Sequence, residues 1–170
     1  MTTATLDRPA AEAEGFRVER SILIEAPAGA AYGLVEDFHR WSQWSPYEGL
    51  DPALRRTFEG PERGVGAVYG WVGNNKVGNG RMEIVQAEPG RRLLIKLDFY
   101  KPFEAHNTAE FTFVPEGEAT RVTWAMYGPE MCGNSLMKFV MGLFFNMDKM
   151  VGGQFEQGLA KLKAAAEAAA

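Results

Sequence analysis

The sequence predicts an α+β chain in which a curved antiparallel sheet of about six to seven strands wraps around one long C-terminal helix. Three observations lead there. From Ser135 to Lys163, Leu136, Val140, Leu143, Met147, Val151, Phe155, Leu159 and Leu162 recur at helical spacing. A second set, Met137, Met141, Phe144 and Met150, widens that stripe and leaves Lys138, Lys149, Glu156 and Lys163 as one narrow wet face. The chain before this helix reads as strands of alternating polarity joined by tight turns, the pattern of an antiparallel sheet with one dry face. A helix this apolar needs an enclosure, and a twisted sheet can curl around it.

The elements follow in order. Residues 1–15 are small, polar and without periodicity, the composition of a flexible tail. Phe16 to Glu25 alternates, with Phe16, Val18, Ile22 and Ile24 on one side and Arg20 interrupting it. Pro27 suits the first turn of a helix whose apolar edge is Ala31, Leu34, Val35 and Phe38. Trp41 and Trp44, three apart, share one side of a second short turn that Pro46 ends. Strand-like segments follow at 53–59, 66–73, 81–87, 92–100, 104–114 and 120–127. The run from Gly73 to Gly80 is rich in residues that accept positive φ and predicts a hairpin turn. Asn134 or Ser135 can cap the long helix, and Ala164 to Ala170 reads as a fraying extension. The domain therefore spans 16–163, with no internal repeat.

Bulk properties exclude several classes. A net charge of −4 argues against nucleic acid or an anionic membrane as the main partner. Lys138, Asn146 and Asp148 punctuate the long helix too densely for a membrane span, so no stable insertion is expected. One cysteine and two histidines predict neither an internal disulfide nor a structural metal site. No apolar leader follows Met1, which makes the cytoplasm the expected compartment.

At this point a resemblance can be read. Ser21-Ile-Leu-Ile-Glu-Ala-Pro27, then a short helix and Trp41-Ser-Gln-Trp-Ser-Pro46, resembles the opening of the START-like, Bet v 1-like superfamily (SRPBCC). More narrowly, it is similar to the polyketide cyclase/dehydrase and lipid-transport group. Gly80 to Ile84, Lys101-Pro-Phe103 with Asn107-Thr-Ala109, and Thr120 to Trp124 with Gly128 extend the likeness over roughly Phe16 to Lys163. The resemblance implies a helix-grip fold with a tunnel between sheet and last helix, occupied by a small hydrophobic molecule and needing no cofactor.

The candidate ligand residues follow from that picture. Trp41, Trp44 and Tyr47 can roof the mouth, or can seal the junction of short helices and sheet as ordinary core. Met126, Met137, Met141, Met147 and Met150 gather near the helix, and methionine adapts to variable apolar ligands as readily as it fills gaps. Asn107 sits on the apolar face of its strand and must find a partner in ligand or backbone. Tyr69, Trp71, Met82, Phe99, Phe111, Trp124 and Phe144 complete the expected lining. Arg20 poses the Asn107 question again, or snorkels to solvent at a sheet edge.

No catalytic constellation is visible. His39 and His106 are the only imidazoles, and Asp98 and Glu110 point outward by strand parity. Ser42 and Ser45 lack a partnered base, Gly73 to Gly80 lacks the ending of a phosphate loop, and Cys132 reads as an inert thiol. Three functions remain open. They are binding of a lipid, quinone, isoprenoid or polyketide; a cyclase or dehydratase working by positioning, with Asn107, Tyr47 and Tyr69 to test; and an interaction module resembling activators of the Hsp90-type chaperone.

Overall fold

The computed structural model describes residues 15–75, 77–101, 104–129 and 136–170, with backbone alone for 15, 16, 129 and 136–147. Seven strands form one antiparallel sheet: β1 (Gly15–Ile24), β2 (Arg55–Glu59), β3 (Val68–Val72), β4 (Asn79–Glu88), β5 (Arg92–Lys101), β6 (Ala105–Glu116) and β7 (Ala119–Pro129). Their spatial order is β1-β7-β6-β5-β4-β3-β2, so five consecutive hairpins build the sheet and β1 returns beside β7. Between β1 and β2 come α1 (Ala28–Val35) and a 3-10 helix (Phe38–Gln43). The last element is α2 (Leu136–Ala169). The weakest expected strand, 53–59, is the short edge strand β2, exposed along its whole length.

Strand parity sorts the residues as the alternation predicts. Val122, Trp124 and Met126 of β7 lie beside Phe113, Phe111 and Ala109 of β6, and Leu93, Ile95 and Leu97 of β5 continue the same inner face. In β4 an extra residue at Val85 shifts the register, after which Ala87 faces Leu93 and the apolar side is recovered. The hairpin expected at Gly73 to Gly80 is present, closed by the Gly73 amide donating to the Gly78 carbonyl at 2.9 Å, with Gly78 at φ 61°.

Helix α2 grips this face through Phe155, Leu159, Leu162 and Ala166, all fully buried, each large side chain contributing roughly 1.5–3 kcal/mol of burial. Polar ties hold it against β1. Arg20 reaches Asp148 at 3.4 Å and Glu156 at 3.1 Å, Lys163 donates to the Leu23 carbonyl at 3.0 Å, and the Glu25 amide donates to Glu167 at 2.8 Å. The last two occupy backbone groups on a sheet edge that would otherwise be open for pairing.

Four expectations change. The alanine-rich end does not fray after Lys163: helix continues to Ala169 because Ala166 is buried and Glu167 pairs with Lys163. Met150 does not widen the apolar stripe, being 60 % exposed. Lys163 is not on a free wet face, since it bridges α2 to β1. Asp98 and Glu110 do have outward parity, yet both are buried. Asp98 sits under His106 (2.7 Å) and Lys96 (3.7 Å), and Glu110 accepts from Arg92 and from Tyr127 Oη at 2.9 Å. Of the expected tail, residues 1–14 lie outside the described residues, as do Cys132 and the expected cap at Asn134 or Ser135, while Gly15 already belongs to β1.

Candidate functional site

The inner face grades from sealed to open. At the α1 end, Trp41, Trp44, Phe111, Trp124 and Phe155 form one aromatic block. Trp124 stacks on Phe155 with ring centroids 3.9 Å apart and on Phe111 at 5.1 Å, while Trp44 meets it edge-on at 5.5 Å. Trp41 donates to the Val35 carbonyl at 2.8 Å and Trp44 to the Leu34 carbonyl at 2.9 Å, so both rings are fixed to α1. Both tryptophans thus occupy the place that an ordinary core would give them. Pro46 and Trp124 close on α2 at Gly158, where a Cβ would lie 2.8 Å from Pro46 and 3.0 Å from Trp124 Cζ3.

Further along the strands, one rung joins Asn107, Leu97, Met82, Tyr69 and Phe58 across four pairings. The next joins Ala105, Phe99, Gly80 and Trp71. Met82, Leu97 and Met126 are buried, whereas Asn107, Phe99, Tyr69 and Trp71 are half-buried. Trp71 lies on Gly80, where a Cβ would collide with its ring, and donates to the Val77 carbonyl at 2.9 Å. It stacks on Tyr69 and meets Phe99 edge-on at 5.7 Å. Asn107 makes no side-chain hydrogen bond among the described residues, although its face is apolar. Tyr47 packs against the core beside the 3-10 helix, and burial raises the pKa of its hydroxyl. Burial raises Tyr69 in the same direction. The side chains of Met137, Met141, Phe144 and Met147 lie outside the described residues.

The sequence reading missed a cleft of about 260 Å³ beside the 3-10 helix, bounded by Phe38, His39, Phe58, Gly60, Glu62 and Val68 among others. His39 stacks on Phe58 at 4.0 Å, and Asp37 accepts from both the His39 amide (2.9 Å) and its Nδ1 (3.0 Å). That pairing leaves Nε2 as the basic nitrogen of the neutral ring. Asp37 two residues before a histidine at a helix start is a capping signal that the sequence does carry. Arg20, by contrast, is not a ligand group of the interior, because Asp148 and Glu156 hold it on α2. Among the described residues no three His, Cys, Asp or Glu side chains cluster to hold a metal.

A seven-stranded curved sheet closed over a C-terminal helix, with an apolar concave face, defines a helix-grip protein. The chain belongs to the polyketide cyclase / dehydrase and lipid transport family, whose model matches residues 15–167. Among solved structures it is similar to the di-domain ARO/CYC StfQ from the steffimycin biosynthetic pathway. That match has a TM-score of 0.68 and 15% identity, covering 91% of this chain and 51% of that one. A Thermobifida fusca protein solved by NMR matches with a TM-score of 0.65 and 20% identity, over 86% of this chain and 90% of that one. The Aha1 dimer from Colwellia psychrerythraea matches with a TM-score of 0.59 and 13% identity, over 89% and 96%. No curated protein matches significantly by sequence. At these identities the structural likenesses show the fold.

Proposed function

We propose that the protein binds a hydrophobic small molecule, of the lipid, quinone, isoprenoid or polyketide class, against the open half of the inner face. The carrying observation is the gradation of that face. Leu97 and Met82 lie just under the surface, and half-buried Tyr69, Trp71, Phe99 and Asn107 surround them with aromatic area and one amide. Apolar linings with a few placed polar groups are the usual composition of small-molecule sites. Family membership supports the same reading. Trp41, Trp44 and Phe111 serve as the floor that fixes this surface. No helix among the described residues is long and apolar enough to cross a membrane.

The test is native mass spectrometry on gently purified protein, with solvent extraction of any bound mass. A reproducible adduct that disappears on denaturation supports binding and gives the chemical class. A protein that carries nothing and takes up nothing from a lipid and quinone extract contradicts it.

A second reading, cyclisation or dehydration of a polyketide-like chain, is favoured by one specific observation: the Asp37–His39 pair beside the cleft, with Nδ1 engaged. Loss of turnover in His39→Ala with retained fold and retained ligand binding would support it. Turnover unchanged in that variant would remove it.

A further inference from the structure

Among the described residues the sheet has one covered edge and one open edge. At β1, Lys163 donates to the Leu23 carbonyl and Glu167 accepts from the Glu25 amide, so the end of α2 lies along that edge. At the other edge, β2 pairs with β3 on one side and is exposed along all five residues, Arg55–Glu59. It has no proline and no register shift, two features that ordinarily stop an edge strand from pairing again. What it carries instead is charge. Arg55 and Glu59 have no ion-pair partner among the described residues.

These charges are placed symmetrically. Arg55 and Glu59 each stand two residues from Thr57 and share one face of the strand with it. Arg56 and Phe58 take the other face, beside Trp71 and Tyr69 of β3. Two copies of β2 that meet antiparallel about a two-fold axis must oppose one residue to its own copy, because only then do directly opposed side chains leave the same face. With Thr57 on the axis all five residues pair, and Arg55 of each copy stands opposite Glu59 of the other. Arg56 then stands beside the second copy's Phe58 ring, which is 41 % exposed. An axis at Arg56 would set like charges face to face. An axis at Phe58 would carry both arginines past the end of the partner strand, opposite Gly60 and Pro61. Charge complementarity therefore selects one register.

We propose that β2 is a self-association edge: a second copy of this chain adds to it antiparallel, with Thr57 on the two-fold axis and an Arg55–Glu59 pair on either side. The sheet then runs continuously through both copies, and the two concave faces lie on the same side. Assembly closes at two, since the other edge of each copy is held by Lys163 and Glu167. A five-residue strand contributes little apolar area, so the dimer is reversible and depends on concentration and on salt.

The test is sedimentation equilibrium of the full chain from micromolar to millimolar concentration, at low and high salt. It compares the wild type with Arg55→Glu, Glu59→Arg and the double variant. The expected result is a monomer–dimer equilibrium that high salt weakens. Each single reversal sets two like-charge pairs in the interface and weakens association by roughly tenfold, while the double variant, which exchanges the charges, restores it. An equimolar mixture of Arg55→Glu with Glu59→Arg opposes unlike charges at both ends and associates more tightly than either variant with itself. Both positions are exposed, so the melting temperature of dilute protein is unchanged in every variant. A wild type that stays monomeric at millimolar concentration overturns the proposal. So does a dimer that both reversals leave intact, or one that the double variant and the mixture fail to restore.

Discussion

Arg20 lies across α2 at Gly152, so close that a Cβ on Gly152 would stand 2.5 Å from its guanidinium carbon. The side chain passes over the helix at the one residue that leaves it room, and Asp148 and Glu156 hold it one turn to either side. Two opposed terms act on this glycine. Alanine gains about 1 kcal/mol of helix propensity. It also displaces the flexible end of Arg20, whose half-exposed ion pairs contribute about 0–1 kcal/mol. Gly152→Ala is therefore expected to be near neutral alone and to stabilise by about 1 kcal/mol in an Arg20→Ala background. Urea unfolding of the four-member cycle checks this. Equal effects in both backgrounds would show that the contact carries no coupling.

Gly158 is a different case, because its neighbours cannot yield. A Cβ there meets the Pro46 ring at 2.8 Å and Trp124 at 3.0 Å; the proline ring is rigid and Trp124 is held in the aromatic block. Overpacking costs about 1–3 kcal/mol against about 1 kcal/mol gained from propensity. Gly158→Ala should lower stability, read as a fall in the urea midpoint at unchanged slope.

Trp44 and Trp71 separate floor from mouth. Trp44 is fully buried and hydrogen-bonded, so Trp44→Ala should cost about 3–5 kcal/mol. Trp71 is half-buried at the open end, so Trp71→Ala should cost clearly less in stability and more in retained ligand. Chemical denaturation and native mass spectrometry on the two variants give the comparison.

His106 reports on the outer face. Its hydrogen bond to Asp98, helped by Glu104, raises its pKa above the usual histidine value. The folded state is thus favoured by the charged ring below the unfolded value of 6.5, and that contribution is lost as pH rises through the raised folded value. Imidazole NMR should show a midpoint above 6.5 in the wild type and a lower one in Asp98→Asn. A midpoint that Asp98→Asn leaves unmoved would refute the pairing.

Alternation and turn chemistry made the sheet legible, since period-two burial is written into Leu93, Ile95 and Leu97 or Val122, Trp124 and Met126 themselves. Asp98 and Glu110 were not legible, because the groups that bury them, His106, Arg92 and Tyr127, reach them across the sheet and alternation does not record it. Met150 misled for a related reason. Residues 148–150 are all exposed and together sweep roughly 200° of the helix, so α2 contacts little at that level. The cleft was hidden too, because Phe38 and Phe58, twenty residues apart, line it together with a loop that Gly60 and Gly66 turn at positive φ, and no local pattern records that. Among the described residues, the strand positions Tyr69, Trp71, Met82, Phe99, Asn107, Phe111, Trp124 and Met126 share one side of the sheet by parity. What the sequence did not separate was the packed half, Trp41, Trp44 and Phe111, from the open half.

A hydrophobic molecule seated on the open half of the inner face would touch Met82 and Met126. The direct measurement is a methionine-methyl NMR titration of 13C-labelled protein with 2,3-dimethyl-1,4-naphthoquinone. Met82 and Met126 lie on the inner face and Met150 is exposed on α2, which makes it an internal control. Occupancy of that half should shift Met82 and Met126 saturably and leave Met150 unmoved. Saturable binding that leaves Met82 and Met126 unshifted would contradict it.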